Sequence, residues 1–296
     1  MRREDLIADA LSFFEDEPSG FGPVQPVSGM LLLRHIEPTP MEATLYDPVV
    51  CLILQGGKET RAGDRVVQIS AGEASVVSHH LPVVARITQA DAAAPYLAMI
   101  VSLDVSVLRQ LYEEVGDLHG DSSDMHALAV HEAGAPLIDA LSRYLALASS
   151  PIDSKVLLSQ VRREVHFRLL LAPNGGTLRR LLLHDSHASN VWRAIGHLRA
   201  HFRSPVSIPE LASTVGMSAP SLHKHFKAVT STTPLQYFKE LCLIEARRLL
   251  AAGALTVSRV AYEVVYESPN QFSREYSRKF GVSPRMDRGL ELAALN

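Results

Sequence analysis

The 296-residue sequence predicts an α+β architecture: a β-rich first half with flanking helices, then an all-α C-terminal part. Seven short β-like runs, closely spaced and separated by turn residues, lie between Met30 and Leu103. The apolar period then changes to a helical one at Val105. Finally, one helix–turn–helix pattern occurs twice in about the last hundred residues. The length suits two domains of about 150 residues, each large enough for a core. The apolar share of 47% and charged share of 21% are those of a globular chain.

The chain opens on an amphipathic helix pattern, Met-Arg-Arg-Glu-Asp-Leu-Ile-Ala-Asp-Ala, with no secretory apolar block. A loop follows at Pro18-Ser-Gly20-Phe-Gly22-Pro23. The β-like runs are Met30–Ile36, Val49–Leu54, Lys58–Ala62, Arg65–Ile69, Ala74–Ser78, Val83–Thr88 and Tyr96–Leu103. Gly56-Gly57 and Gly63-Asp64 are hairpin signals, and Ala71-Gly72-Glu73 is a further turn. Such strands predict a small barrel or a double-sheet jelly roll of the cupin type, which periodicity alone does not separate from a sandwich.

Helices are expected over Val105–Gly116, Ala135–Ala148 and Ser154–Leu171. The third carries Val156, Leu157, Val161, Val165 and Leu169 along one side. The second and third either pack a homodimer or cover the open edge of the barrel. Pro173-Asn-Gly175-Gly176 breaks the last helix and begins a linker, within which Leu178–His184 is a candidate short helix. Val191–Phe202 is helical, and a long helix runs from Thr233 to Ala251 between the two repeated units. The expected domains are therefore 1–172, a linker at 173–190, and 191–296.

The first repeat reads Ile208-Pro-Glu-Leu-Ala212-Ser-Thr-Val-Gly216-Met-Ser218-Ala-Pro-Ser-Leu222-His-Lys-His-Phe226. The second reads Val257-Ser-Arg-Val-Ala261-Tyr-Glu-Val-Val265-Tyr-Glu-Ser268-Pro-Asn-Gln-Phe272-Ser-Arg-Glu-Tyr276. Each is a short helix with a small inward residue, a tight turn, and a second helix opening on a serine suited to cap it. Apolar residues then recur at four-residue steps, Leu222 and Phe226 in one copy and Phe272, Tyr276 and Phe280 in the other. This is the unit that lays its second helix in the DNA major groove, and two copies let one chain read two groove segments. Charge agrees: residues 191–296 carry 14 Lys+Arg against 8 Asp+Glu, although the whole chain has a net charge of −3.

Taken with Thr233-Pro-Leu-Gln-Tyr237, Glu245-Ala-Arg247-Arg248-Leu-Leu250, Ser268-Pro-Asn-Gln-Phe272-Ser-Arg274 and Phe280-Gly281-Val-Ser-Pro284, the two units resemble the AraC/XylS family of transcriptional regulators across roughly residues 190–286. Upstream, Leu54-Gln55-Gly56-Gly-Lys58, Leu81-Pro82 and Pro95-Tyr96-Leu97 are similar to the cupin-like N-terminal domain of one AraC subgroup. The resemblance implies base-reading positions at Pro220, His223 and Lys224 in the first unit and at Asn270, Gln271, Ser273 and Arg274 in the second. Lys and Arg suit guanine O6/N7, and Asn and Gln suit adenine N6/N7. Three residues depart from the family pattern: Val265 and Ser231 stand where glycine is common, and Cys242 where arginine is.

Other motifs read blandly. His197 and His201 are spaced i, i+4 with no third ligand nearby, and adjacent His79-His80 would point to opposite faces of a strand. Two cysteines, Cys51 and Cys242, exclude a disulfide framework and a cysteine metal site. There is no phosphate-binding glycine loop, nucleophile elbow or apolar run of the ~20 residues that a membrane span needs. The expectation is a cytoplasmic, sequence-specific DNA-binding transcription regulator whose cupin-like domain senses a small molecule or dimerises. Its expected partners are double-stranded promoter DNA, RNA polymerase, an effector and a homodimer mate, with no catalytic residue, cofactor, metal or membrane. The alternative is a cupin-type metal-dependent enzyme fused to a DNA-binding module.

Overall fold

The computed structural model describes residues 3–15, 22–116, 126–183 and 186–287. After α1 (Arg3–Ser12) come nine strands: β1 (Gly22–Val27), β2 (Met30–His35), β3 (Glu42–Tyr46), β4 (Val49–Gln55), β5 (Gly57–Ala62), β6 (Arg65–Ser70), β7 (Glu73–Val77), β8 (Leu81–Gln89) and β9 (Tyr96–Ser102). Then follow α2 (Val105–Val115), β10 (Leu128–Glu132), α3 (Ala135–Ala146), α4 (Pro151–Leu171) and α5 (Gly176–Leu182). The remaining helices are α6 (His187–Ala200), α7 (Ile208–Thr214), α8 (Ala219–Thr230), α9 (Pro234–Ala251), α10 (Val257–Glu263) and α11 (Pro269–Phe280). Residues 18–21 of the expected loop and His184 of the expected short helix lie outside the described residues.

The α+β class and its split into a β-rich half and a helical half are as the patterning predicts. The strands form the double-sheet version of the expected fold and do not close into a barrel. A six-stranded sheet, β1-β2-β9-β4-β7-β10, faces a four-stranded one, β3-β8-β5-β6. Every pairing is antiparallel.

Alternation along β4 and β9 explains how both faces of the larger sheet are buried. Val50, Leu52, Leu54, Leu97, Met99 and Val101 join the core built with α1–α5. Cys51, Ile53, Tyr96 and Ala98 point the other way, to meet Ile69 and Ile87 of the opposing sheet.

Three strands escape the sequence pattern, and each is a sheet edge with a single partner: β1 on β2, β3 on β8, and β10 on β7. β1 carries Pro23 and Pro26, which only an edge strand tolerates, because proline has no N–H to donate to the ladder. The Gly56-Gly57 hairpin expectation is corrected. β4 and β5 belong to different sheets, and this pair makes the corner between them. Gly56 has φ +78°, and a Cβ there would sit 2.4 Å from the Gln89 carbonyl oxygen, so the corner admits no side chain. Gly63-Asp64 is a true hairpin, joining β5 to β6.

The expected apolar side of α4 divides. Val165 and Leu169 are buried, Val161 is half-buried, and Val156 and Leu157 are exposed together with Ile152. Leu178 and Leu182 of α5 pack into the sandwich core.

A second core joins the two halves of the chain. Ala62, Val77, Leu81, Val83, Ala127 and Leu128 from the sandwich pack into one cluster with the apolar faces of α6 through α11.

Candidate nucleic-acid interface

The two helix–turn–helix units are built alike. Ser207 caps α7 by accepting from the Glu210 amide, and Thr256 caps α10 by accepting from the Arg259 amide. Ser218 and Ser268 cap the second helices, α8 and α11, as their positions predict. Both turns close with the same bond: Met217 N–H donates to the Ala212 carbonyl at 2.9 Å, and Tyr266 N–H to the Ala261 carbonyl at 3.0 Å. Gly216 (φ +73°) and Val265 (φ +65°) therefore hold equivalent places, one relaxed and one strained. Ser231 also adopts the left-handed conformation (φ +60°), as the C-cap of α8. α9 contacts both α8 and α10 and so ties the units together. Its buried Cys242 lies with Leu241 and Leu243 in the shared core. A buried Tyr276–Asp287 bond (2.6 Å) and an Arg247–Asp287 ion pair (3.1 Å) lock α11 onto α9.

Burial of Leu222, Phe226, Phe272 and Tyr276 fixes which faces of α8 and α11 look outward. Pro220, His223 and Lys224 are exposed on α8, and Asn270, Gln271 and Arg274 on α11. Ser273 is only half-exposed, and its hydroxyl donates to the Pro269 carbonyl at 2.8 Å. Gln271 donates to Glu275 (3.0 Å), whose other oxygen accepts from the Tyr266 hydroxyl at 2.8 Å. Exposed Lys227 continues the α8 face one turn on, a position outside the expected set.

The exposed side of α8 opens onto a groove of about 590 Å³ whose far wall belongs to the sandwich. His223, Lys224 and Lys227 face Asp64 and His126 across it. Lys227 Nζ lies 3.9 Å from Asp64, at the tip of the β5–β6 hairpin. The Ala127 N–H donates to the Val229 carbonyl at 2.7 Å. Gly63 comes so close that a Cβ on it would lie 2.2 Å from the Ser231 carbonyl oxygen. The N-terminal half thus grips the C-terminal end of α8.

A second contact is built around His79 and His80. Trp192 of α6 stacks on His80 and meets His79 edge-on, with ring centroids 5.3 and 5.7 Å apart. His79 bridges the Ser78 hydroxyl (2.8 Å) and the Ala188 carbonyl (3.1 Å). Burial is the main reason its pKa falls to about 4. His80 Nδ1 lies 2.7 Å from Asp47, which also accepts from Arg199 at 3.5 Å. The Tyr237 hydroxyl donates to the His80 carbonyl at 2.9 Å. His197 and His201 stack on one another at 4.2 Å. Among the described residues no group of three His, Cys, Asp or Glu side chains is placed to hold a metal ion.

Between the two sheets lies a cavity of about 380 Å³ with mostly apolar walls. Lys58 on β5 lines it, 7% exposed, with Nζ 3.5 Å from Cys51 Sγ and 5.4 Å from the centre of the Tyr46 ring. Burial works against the charge, but Cys51, Tyr46 and Tyr96 more than offset it and hold the lysine pKa above its ordinary value. The sequence places Lys58 at the end of the Leu54-Gln55-Gly56-Gly-Lys58 motif but gives it no role, since a lysine in a short strand is normally a solvent-facing residue.

The N-terminal half matches the model of the AraC-type transcriptional regulator N-terminus over residues 26–177, which is more than half of the chain. The chain belongs to the AraC-type transcriptional regulators. A helix-turn-helix domain model matches residues 211–289 of this regulator. Among relatives, the HTH-type transcriptional regulator CdhR of Pseudomonas aeruginosa is 29% identical over 163 residues, 53% of this chain and 46% of its own. The HTH-type transcriptional activator RhaS of Escherichia coli is 32% identical over 130 residues, 44% of this chain and 46% of its own. The matched stretch thus spans about half the length of each relative. Crystal structures of ToxT from Vibrio cholerae share the fold. The apo form of a variant has a TM-score of 0.56 at 10% identity, covering 88% of this chain and 97% of that one. The form with bound unsaturated fatty acid has a TM-score of 0.54 at 9% identity, covering 87% and 94%.

Proposed function

We propose that this regulator binds promoter DNA sequence-specifically through α8 and α11, and that its N-terminal half controls that binding in response to a small molecule. The observation that carries the reading is the pair of matching helix–turn–helix units, each capped, each packed by its apolar face, and each turning a polar face outward. Pro220, His223, Lys224, Asn270, Gln271 and Arg274 make the base-reading set, with Ser273 nearer the phosphates. Lys227 adds a phosphate contact once it leaves Asp64. Residues 1–172 then form the sensing domain, 173–190 the connection and 191–296 the DNA-binding domain.

Control follows from the groove. The hairpin tip at Gly63-Asp64 and the Ala127 amide hold the end of α8, and Asp64 places a negative charge where phosphate must come. A ligand in the sandwich that favours the released arrangement shifts the population toward DNA binding. The fatty-acid complex of ToxT is a precedent for a ligand in this fold. The exposed stripe of Ile152, Val156 and Leu157 on α4 supports a homodimer. RNA polymerase is the downstream partner and the cytoplasm the place of action; no helix among the described residues is long and apolar enough to cross a membrane. The relatives are regulators, and we read this chain too as a non-enzyme.

The test is selection of bound fragments from the source genome by the full chain, followed by binding titrations at several salt concentrations. The reading requires a recurrent site and an affinity that falls steeply with salt. Recovery of fragments without a common sequence would refute it.

A further inference from the structure

We infer that the cavity between the sheets takes a small organic carboxylate with an apolar body, and that Lys58 is the counter-charge that selects it. This rests on the reading of the cavity as the effector site and adds the chemical class of the effector.

A buried ammonium is costly unless a charge or several hydrogen bonds match it. The acidic groups nearby are engaged elsewhere. Glu59, next to Lys58 on the strand, points to the opposite face, where Gln68 donates to it at 2.7 Å and Arg86 at 3.2 Å. Asp47 is held by His80 and Arg199, and Glu42 lies 3.8 Å from Arg247. Among the described residues Lys58 is left with a thiol and the face of a ring, and no carboxylate lies within ion-pair distance of it. These contacts spend one of its three N–H donors and leave the others for a ligand in the cavity. Fully buried Tyr96 also lines the cavity beside Cys51 and brings a phenol hydroxyl to the same end. Most of the remaining wall area is apolar, with Leu33, Leu45, Ile87 and Ile100 among its residues, although Glu42, Asp47 and Arg86 also lie on the lining. One cationic end and a greasy body, in a volume near the lower end of the ~300–1,000 Å³ usual for ligand pockets, describe an amphipathic monoanion.

The position of Lys58 also says how the ligand is felt. Lys58 lies near the start of β5, and Gly63, the residue in contact with Ser231, directly follows its end. An anion drawing on Lys58 acts on the strand whose far end grips the first recognition helix.

The experiment uses the full chain and its Lys58→Met variant, read by thermal shift and calorimetry. The probes are hexanoate, octanoate and decanoate, with 1-octanol and octylamine as uncharged and cationic counterparts of octanoate. Without ligand, Lys58→Met should melt within a few degrees of the parent, since methionine keeps most of the aliphatic chain and loses one buried charge together with its thiol and ring contacts. A fall of several degrees would show Lys58 to be a structural contact and overturn the inference. At least one carboxylate should raise the melting point of the parent in a saturable way, and bind Lys58→Met about tenfold more weakly or worse, as loss of a charge-assisted bond predicts. If 1-octanol binds as well as octanoate, or the variant keeps the carboxylate, the cavity remains an effector site and the anion selectivity falls. If none of the probes binds the parent, both readings of the cavity fall.

Discussion

Exchanging the residues at the two equivalent turn positions tests the helix–turn–helix assignment from inside the fold. Val265 holds φ +65° in the second turn, and Gly216 holds φ +73° in the first. A β-branched residue in that region costs on the order of 1–3 kcal/mol. Val265→Gly recovers this strain. It gives back ~0.4–1 kcal/mol through the freer unfolded chain, and on the order of 1 kcal/mol more through the packing of a half-buried valine. At mid-range these terms leave a net gain of a few tenths of a kcal/mol, a rise in melting temperature of roughly 1 °C. Gly216→Val is the cleaner half of the pair, because a Cβ at Gly216 meets nothing within 4 Å. Its cost is conformational alone: the strain less the unfolded-state gain, about 1–2 kcal/mol, or a fall of several degrees. Differential scanning fluorimetry of the full chain, with near-UV circular dichroism as a check on packing, reads both. If Gly216→Val is neutral while Val265→Gly loses several degrees, the turns are not equivalent, and α11 is misassigned as a recognition helix.

Three further outcomes follow. Lys224→Ala and Arg274→Ala should each relax base preference at a separate part of one operator, at a cost of about 1–3 kcal/mol apiece; equal weakening on every sequence, measured by anisotropy, would make them phosphate contacts. Gly63→Ala cannot keep its approach to the Ser231 carbonyl, so hydrogen exchange at the Ala127 amide should quicken and DNA affinity should rise; unchanged exchange would refute the grip on α8. The pKa of His79 falls from 6.5 unfolded to about 4 folded, so its neutral form stabilises the docked halves above pH 6.5, and that contribution disappears as pH drops toward 4. It is worth on the order of 3 kcal/mol in full, and His79→Gln should flatten the melting-temperature profile across this window. Half-buried His80 and buried His166 push the same way and leave a residual slope.

Local signals were legible wherever a residue's role is decided by its neighbours in the chain. Ser218 and Ser268 cap helices because a hydroxyl there reaches an amide three residues on, and Leu222, Phe226, Phe272 and Tyr276 face inward because they repeat each helical turn. Val265 and Ser231 stood out as departures from glycine, and both hold the left-handed backbone that glycine favours. The edge strands β1, β3 and β10 were not legible. Each is completed by one partner strand, and Gly22-Pro23 of β1 read as loop until β2 supplies the ladder.

The site divides along the same line. The sequence by itself determined the two helix–turn–helix units and their polar faces, since helical periodicity and capping are properties of consecutive residues. Only the tertiary structure decided that Gly56-Gly57 turns a corner between sheets, that Gly63 meets Ser231, and that Lys58 is buried beside Cys51. The physical reason is that burial and charge matching depend on what folds over a residue. Strands far apart in the chain enclose Lys58, and no local period records their meeting.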